Sequence, residues 1–488
     1  MYINQYFISN APFKSPENGK ILPLGNLDIW AHENLELTEV KSPSIQLVLL
    51  GFILDPYFPQ KSNSDILQDL TEHSESSIDS FFHHLNQLTG RFVLLFKNEE
   101  KTLILNDPAG QRQVFYRFED ANFYATSSPK LFYDVTDFEF KIPEEKLKIL
   151  KSKRFKLLEE WFPGDEYLDS HLKRLLPNFF MQTDTQSIKR IPFKVQIIST
   201  QELKEIIRNQ IYGSMEASIA RFDKILFAVT AGSDSRLIFN SMPREEKIDY
   251  FLYKRESEND IDLKIAKKLT QKKKINLSVI QPDKLSDSFL PLFTSQFLYP
   301  RILSKLRNIE WLKSHFQNTN TVVIAGYAGE MLRDSTNSIN PFQTHFRNAE
   351  DFVEYLHYPK THYLENSIRN WVDSASEYLE NCNHLSLLDL FHWEQHMAPY
   401  CAQYAFEQDI SGVELFCPLA NRQMILNLIH NTTIEERSAP NGIIYELINE
   451  NSPEWKDIPY NPKPTFKKLK DLLFKSLPLK IVNRIINR

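Results

Sequence analysis

Glycine is scarce in this chain, with 12 in 488 residues. Glycine alone enters the left-handed backbone region without strain and admits close backbone approach, so each of the twelve marks a position of interest. No apolar run approaches the roughly 18 residues that a membrane-spanning helix needs. The first residues, MYINQYFISNAPFK, lack the layout of a signal peptide, so the expectation is a soluble, cytoplasmic protein. Three cysteines, Cys382, Cys401 and Cys417, occur without C-x-x-C spacing, which indicates neither a disulfide framework nor a zinc site built on them. An excess of positive charge is also missing. With 57 Lys and Arg against 63 Asp and Glu, the net charge is -6 and gives no reason to expect nucleic acid as a partner. Short-period repeats and low-complexity tracts are absent as well.

Hydrophobic residues make up 42% and charged residues 25%, a globular composition on a chain too long for one typical core. Two domains are therefore expected. Residues 1–140 read as α+β with hairpin-rich strands. Gln46 to Leu54 forms a buried strand, Ile66 to Leu88 has helix-spaced apolar residues, and Gly90–Lys97, Lys101–Asn106, Gln113–Phe118 and Asn122–Ala125 read as consecutive antiparallel strands. Residues 141–194 read as a connecting region with irregular, Pro-bearing segments. The second domain, 195–460, opens with a capping box, Ser199 to Glu202, before a long helix to about Arg221. Strands at Ile225–Val229, Asp249–Tyr253, Leu277–Ile280 and Val322–Ala325 then alternate with helices, which implies a parallel sheet with ligands at its carboxyl ends. The mostly helical remainder includes FHWEQHMAPYCAQYAFEQD, whose aromatic and acidic residues read either as core or as a pocket wall. The tail, 461–488, has eight Lys or Arg against Asp471 from Lys463 onward. Contact with an anionic membrane surface or a partner protein, and docking on the body of the protein, both fit it.

The stretch with the sharpest chemical content is Ile225 to Phe239, ILFAVTAGSDSRLIF. It reads as a strand, a tight loop of small and polar residues, and a helix start. Unpartnered first-turn amides at the positive end of a helix dipole bind anions. Asp234 can hold a divalent ion that bridges phosphate oxygens. An ordinary strand-to-helix turn capped by Ser and Asp is the alternative. A second glycine-bearing loop, Ala325-Gly326-Tyr327-Ala328-Gly329-Glu330-Met331-Leu332, leaves the fourth strand at the same end.

Thr230 to Ser235 resembles the S-G-G-x-D-S pyrophosphatase loop of the asparagine synthetase superfamily, with Gly232, Asp234 and Ser235 in place. The second loop resembles that family's S-G-x-G-x-D-E-L segment, with Gly326 in place and Glu330 where the family has an Asp. Asp260 to Leu269 and Gly412 to Met424 resemble further segments, with Glu414 and Pro418 matching and Asn421 in the position of an Asp. The resemblance implies an adenine nucleotide α-hydrolase-like α/β domain with a helical C-terminal part. It further implies ATP bound by Val229, Thr230, Ala231, Gly232, Ser233, Asp234, Ser235, Gly326, Tyr327 and Gly329, with Mg²⁺ on Asp234 and Glu330. Asp234, Glu330 and Arg236 are the catalytic candidates.

Residues 1–140 resemble the class II glutamine amidotransferase domain of the same proteins, an Ntn-type sandwich, through Leu50-Gly51-Phe52, Gly90-Arg91-Phe92 and Asp107-Pro108-Ala109-Gly110. That family uses an N-terminal Cys as nucleophile and its α-amine as base. Residue 2 here is Tyr, so glutamine hydrolysis by that route is not expected. The same loss occurs in relatives resembling β-lactam synthetases and lasso-peptide cyclases. The segment Pro440 to Glu446 also lacks the family's Lys. Arg437, Lys463 and Lys467, with Arg236 beside the loop, are the cations that could take its place.

The resemblance implies an ATP-dependent, AMP-forming carbon–nitrogen ligase that adenylates a small-molecule or peptide carboxylate for attack by an amine or ammonia. A homodimer is compatible with it. The alternative is a degenerate scaffold or regulatory partner that binds nucleotide without turnover. A tRNA-modifying enzyme of the wider nucleotide-hydrolase group is a weaker third reading, because the charge is acidic.

Overall fold

The computed structural model describes residues 2–157, 161–194, 196–243, 246–255, 260–300, 305–333, 346–380, 385–437 and 442–462. Cys382, Pro440, Asn441 and the basic tail from Lys463 lie outside the described residues.

Two six-stranded sheets form the first half. One contains β1 (Tyr6–Ser9), β2 (Gly19–Leu24), β3 (Leu27–His32), β8 (Phe115–Glu119), β9 (Asn122–Thr126) and β10 (Lys173–Arg174), in the order β10-β8-β9-β1-β3-β2. The other contains β4 (Leu37–Lys41), β5 (Gln46–Leu54), β6 (Thr89–Lys97), β7 (Thr102–Asn106), β11 (Phe179–Gln182) and β12 (Ser187–Arg190), in the order β12-β11-β7-β6-β5-β4. All pairings within them are antiparallel.

Strand β5 shows why its sequence is apolar on both sides. Val48, Leu50, Phe52 and Leu54 point to the large central core, whereas Leu47, Leu49 and Ile53 join a separate cluster with Ile66, Leu67 and Leu70 of the helix Asn63–Ser76 and Phe81 of the helix Ile78–Leu85. The first sheet has its own outer cluster, in which Phe7, Trp30 and Tyr124 meet Leu131 and Phe132 of the helix Pro129–Val135. Two stacked sheets covered by helices on both outer faces follow from these period-two patterns.

Several expectations needed adjustment. The helical pattern from Ile66 to Leu88 divides into two helices at Ser77, whose hydroxyl accepts from Ser80 N and starts the second. The stretch before Ile45 supplies four strands. The chain also changes sheets between β7 and β8, and the expected connecting region contributes β10 to one sheet and β11 and β12 to the other.

In the second half, β13 (Lys224–Ala228), β14 (Ile248–Tyr253), β15 (Ser278–Ile280), β16 (Thr321–Ile324) and β17 (Glu414–Phe416) form a parallel sheet in the order β15-β14-β13-β16-β17. The Ser199–Glu202 capping box is formed, and its helix runs Thr200–Arg221. Ile225 and Phe227 of β13 face the main core, while Leu226 packs with Leu312 and Ala405 on the opposite face, so helices cover both sides. The chain lays strands outward from β13 first in one direction and then in the other. The β13/β16 boundary is therefore a topological switch point, where the loops after adjacent strands diverge and open a crevice. No helix among the described residues is long and apolar enough to cross a membrane.

One continuous core joins the halves, with Phe52 packed edge-on against Phe222 and Phe416. Beside it, the Arg91 guanidinium forms a two-pronged pair with Asp409 at 2.6 and 2.7 Å and also reaches Glu414 at 2.9 Å. Arg112 meets the same Glu414 at 3.0 Å. Removing one partner of such a buried pair strands the other. Asp409→Ala is expected to lower stability by about 3–5 kcal/mol, read as a shift of the denaturant midpoint. A change under about 1 kcal/mol would show that water reaches and screens Arg91.

Candidate active site

A cavity of about 320 Å³ opens at the switch point. Its floor is Ala228, Val323, Ile324 and Leu415 from the parallel strands, and its walls include Tyr253, Tyr327, Tyr400 and Tyr404. Lys305 reaches it as well, donating to Tyr400 Oη at 3.1 Å and lying 4.4 Å above the Tyr404 ring. The aromatic stretch that read either as core or as wall is both. Phe391, Trp393, Met397 and Cys401 are core, and Tyr400 and Tyr404 face the cavity.

Of the expected loop residues, Thr230, Gly232, Asp234, Ser235, Gly326 and Tyr327 line this space. Val229, Ala231, Ser233 and Gly329 shape the loops beneath it. Val229 N donates to Phe251 O, and Ala231 N donates to Asp262 Oδ1 at 3.1 Å. Thr230 and Ser235 hydroxyls are 2.8 Å apart and close the turn. The helix Ser233–Asn240 begins at Gly232, which has no side chain to cap it.

Gly232 is informative because neither its backbone nor its packing calls for glycine. Its φ is −72°. A Cβ there would meet nothing nearer than Thr230 Oγ1 at 3.5 Å. Gly329 is the opposite case, since a Cβ there would fall 2.4 Å from Asp234 Cγ. Gly326 is intermediate, with Asp234 Cβ at 3.2 Å and Ser235 N at 3.3 Å.

The two expected carboxylates each have a basic side chain beside them, Arg333 at Asp234 and His392 at Glu330. Asp234 Oδ2 pairs with Arg333 at 2.8 Å, and its Oδ1 accepts from Ser233 Oγ at 3.2 Å. Burial pushes the Asp234 carboxyl up; Arg333 opposes this and the Glu330 charge adds to it. Glu330 Oε2 lies 3.2 Å from His392 Nε2. Burial works against its ionisation, but His392, His396 and Arg333 prevail and hold it down, to about 2. Burial pushes His396 the other way for a histidine, to about 4.

The expected cations fare differently. Arg236 is fully buried and donates to the carbonyls of Ile458, Pro459 and Ala231 while stacking on Tyr460, so it ties the segment 453–462 to the loop and does not face the cavity. Arg437 is held by buried Asp389 at 2.9 Å. Lys463 and Lys467 lie outside the described residues, and the described chain ends one residue after Asn461, whose amide donates to Ala231 O. Arg333, three residues beyond Glu330, and Lys305 at the cavity wall are cations at the site that sequence reasoning missed. Asn421, in the position of the expected Asp, caps the helix Arg422–Asn431 and donates to Gln87 O.

No protein-family model matches the chain, and no curated protein sequence matches it. Similar solved structures include the allosteric regulatory enzyme of purine biosynthesis, at 11% identity over 72% of each chain and a TM-score of 0.24. The NH3-dependent NAD synthetase of Campylobacter jejuni is similar at 15% identity over 43% of this chain and 96% of its own, with a TM-score of 0.22. The glutamine phosphoribosylpyrophosphate amidotransferase of B. subtilis is similar at 10% identity over 75% of this chain and 87% of its own, with a TM-score of 0.21. Likeness this distant carries no argument about what the chain does.

The two glycines give contrasting expectations. Gly329→Ala displaces Asp234 from Arg333 and should cost about 1–3 kcal/mol, whereas Gly232→Ala should stay within about 1 kcal/mol. Chemical denaturation of the two variants side by side measures the difference, and equal costs would contradict the geometry.

Proposed function

We propose that this chain is an ATP-dependent ligase of the asparagine synthetase type, which activates a carboxylate as its acyl-adenylate and passes it to an amine or ammonia. The observation that carries this reading is Gly232. It sits where an uncapped helix start meets a cavity at a sheet switch point, and the open space in front of it suits the close approach of a ligand.

The residues present fit a magnesium nucleotide. The floor and tyrosine walls suit a purine, the Thr230–Ser235 turn suits phosphates, and a Cβ at Gly232 would take up space in the cradle. Asp234 is a half-buried carboxylate beside a second acid, Glu330, an arrangement that a divalent cation relieves. Arg333, whose Nε is buried without a hydrogen-bond partner, offers the positive charge that the segment around Gly442 lacks. Asp234, with Glu330, would hold Mg²⁺. When bound, that ion supplies charge neutralisation for a departing pyrophosphate. Thr230, Ser235 and the first-turn amides would orient the phosphates, and Arg333 would stabilise their developing charge. Tyr2, whose amide donates to Gln296 Oε1, stands in place of the amidotransferase nucleophile, so ammonia from glutamine is not part of this proposal.

A second reading rests on the same ion pairs. Asp234 is already neutralised by Arg333, Glu330 has His392 beside it, and Arg236 is spent on structure, which is what a scaffold that binds nucleotide without turnover would retain.

Titration calorimetry with Mg-ATP and pyrophosphate exchange with a carboxylate pool separate the readings. For a ligase, wild type binds and exchanges, Gly232→Ala loses about tenfold or more in affinity while keeping its stability, and Asp234→Asn loses about 100-fold in exchange. Binding without exchange selects the scaffold. Absence of binding in wild type would sink both.

A further inference from the structure

The cavity and its loops leave one cluster unexplained. The π-helical turn Phe391–Met397 carries His392 and His396. Because a π turn closes hydrogen bonds from i to i+5, residues four apart stand nearly one above the other, and the two imidazoles face the same way with ring centroids 5.1 Å apart. What they face is Glu330, on the 3₁₀ turn Tyr327–Leu332 that follows β16. One ligand atom from each of the three residues lies within 4.8 Å of the others.

The hydrogen bonding of this cluster is incomplete. His392 is fully buried, yet neither of its ring nitrogens makes a hydrogen bond, and Nδ1 of His396 is buried without a partner too. Although Nε2 of His392 is 3.2 Å from Glu330, the angles are not those of a hydrogen bond. Buried polar atoms left unpaired in this way call for a missing partner. In a tetrahedral site with bonds near 2.0–2.1 Å, neighbouring ligand atoms stand about 3.4 Å apart, close to the observed edge. Arg333 does not fill the gap, because it is engaged with Asp234.

We propose that Glu330, His392 and His396 bind one divalent first-row transition-metal ion. Two imidazole nitrogens and one carboxylate oxygen suit zinc and its neighbours and disfavour the hard, oxygen-seeking Mg²⁺. Three protein ligands leave an open position, and the Glu330 side chain is 41% exposed, so solvent reaches the cluster. The site shares the Glu330 carboxylate with the magnesium site of the nucleotide reading but goes beyond it, since it is built on the two histidines and requires neither ATP nor Asp234. A second cluster, Asp55, Asp69 and His84, is weaker because the Lys61 ammonium already bonds Asp69 at 2.5 Å.

The test uses the full chain without an affinity tag, stripped with a chelator and titrated with Co²⁺ in the absence of nucleotide. One Co²⁺ per chain is expected, with visible ligand-field absorption that one equivalent of Zn²⁺ displaces. His396→Asn and Glu330→Gln should each weaken binding by about tenfold or more. Replacing buried His392 endangers the fold, so the decisive variant is Glu330→Gln on the part-exposed residue, with circular dichroism to show that it is folded. Asp234→Asn should keep its Co²⁺ affinity. Lack of stoichiometric binding in wild type overturns the proposal, as does wild-type affinity in both variants. Loss of the absorption in Asp55→Ala, with these variants unaffected, would move the ion elsewhere and equally overturn it.

Discussion

The buried charge network of Arg91, Arg112, Asp409 and Glu414 is the constraint on which the arrangement of the two halves depends. Two guanidinium groups from neighbouring segments of the antiparallel sandwich meet two carboxylates from the half that holds the parallel sheet, out of reach of most solvent. Burial acts against the Glu414 charge, but Arg112 and Arg91 hold its carboxyl low. Such a network contributes little net stability over an apolar replacement, and it is intolerant of misalignment because each charge is stranded when its partner moves. Asp409 follows directly on the helix Ala398–Gln408, which carries Tyr404, and Glu414 begins β17, whose Leu415 is part of the cavity floor. The wall and the floor of the cavity are therefore positioned by arginines of the other half of the chain.

A second set of contacts makes the same point closer to the loops. The Asp107 carboxylate accepts the amides of Ala109, Gln111 and Arg112, which rigidifies the turn between the two sheets. Onto that turn lean Tyr327, whose hydroxyl donates to Gln111 Oε1 at 2.5 Å, and Trp393, whose indole donates to the Pro108 carbonyl at 2.8 Å. Tyr327 precedes Glu330 by three residues, and Trp393 lies between His392 and His396. The turn thus buttresses both sides of the Glu330 cluster. The antiparallel sandwich thus has structural work here, since the loops of the parallel-sheet half rest on it.

What could be read in the sequence follows the physics of each signal. Long, doubly buried strands such as β5 and β6 were visible as continuous apolar runs, and the two glycine loops stood out because glycine is otherwise rare. The four strands before Ile45 escaped notice because β1 has four residues and β2 is largely exposed and contains Pro23. Strands β10, β11 and β12 are short elements at or next to a sheet edge whose pattern was outweighed by adjacent prolines, and three-residue β17 carries no periodicity at all. Arg333 left no trace, since its role arises from the 3₁₀ turn that brings it back to Asp234. The His-x-x-x-His spacing was in plain view, but its meaning depends on a π turn and on Glu330 lying some sixty residues earlier in the chain.

The internal ion pair Asp234–Arg333 also bears on what sort of ligand the site can accept. A purely anionic ligand would compete with Asp234 for Arg333 and leave a half-buried carboxylate unpaired, and a bare cation would do the converse to Arg333. Either exchange leaves a partly desolvated charge without its partner. A ligand carrying both signs, a metal ion with its phosphates, can take the carboxylate and the guanidinium together and leave no buried charge without a partner. In the proposed ligase the pair would therefore act as a filter against free anions and free cations, at a place where a carboxylate that burial pushes up stands beside a low-lying one. Selectivity of this kind arises from charge balance in a dry crevice, before any contact with a base or a sugar is made.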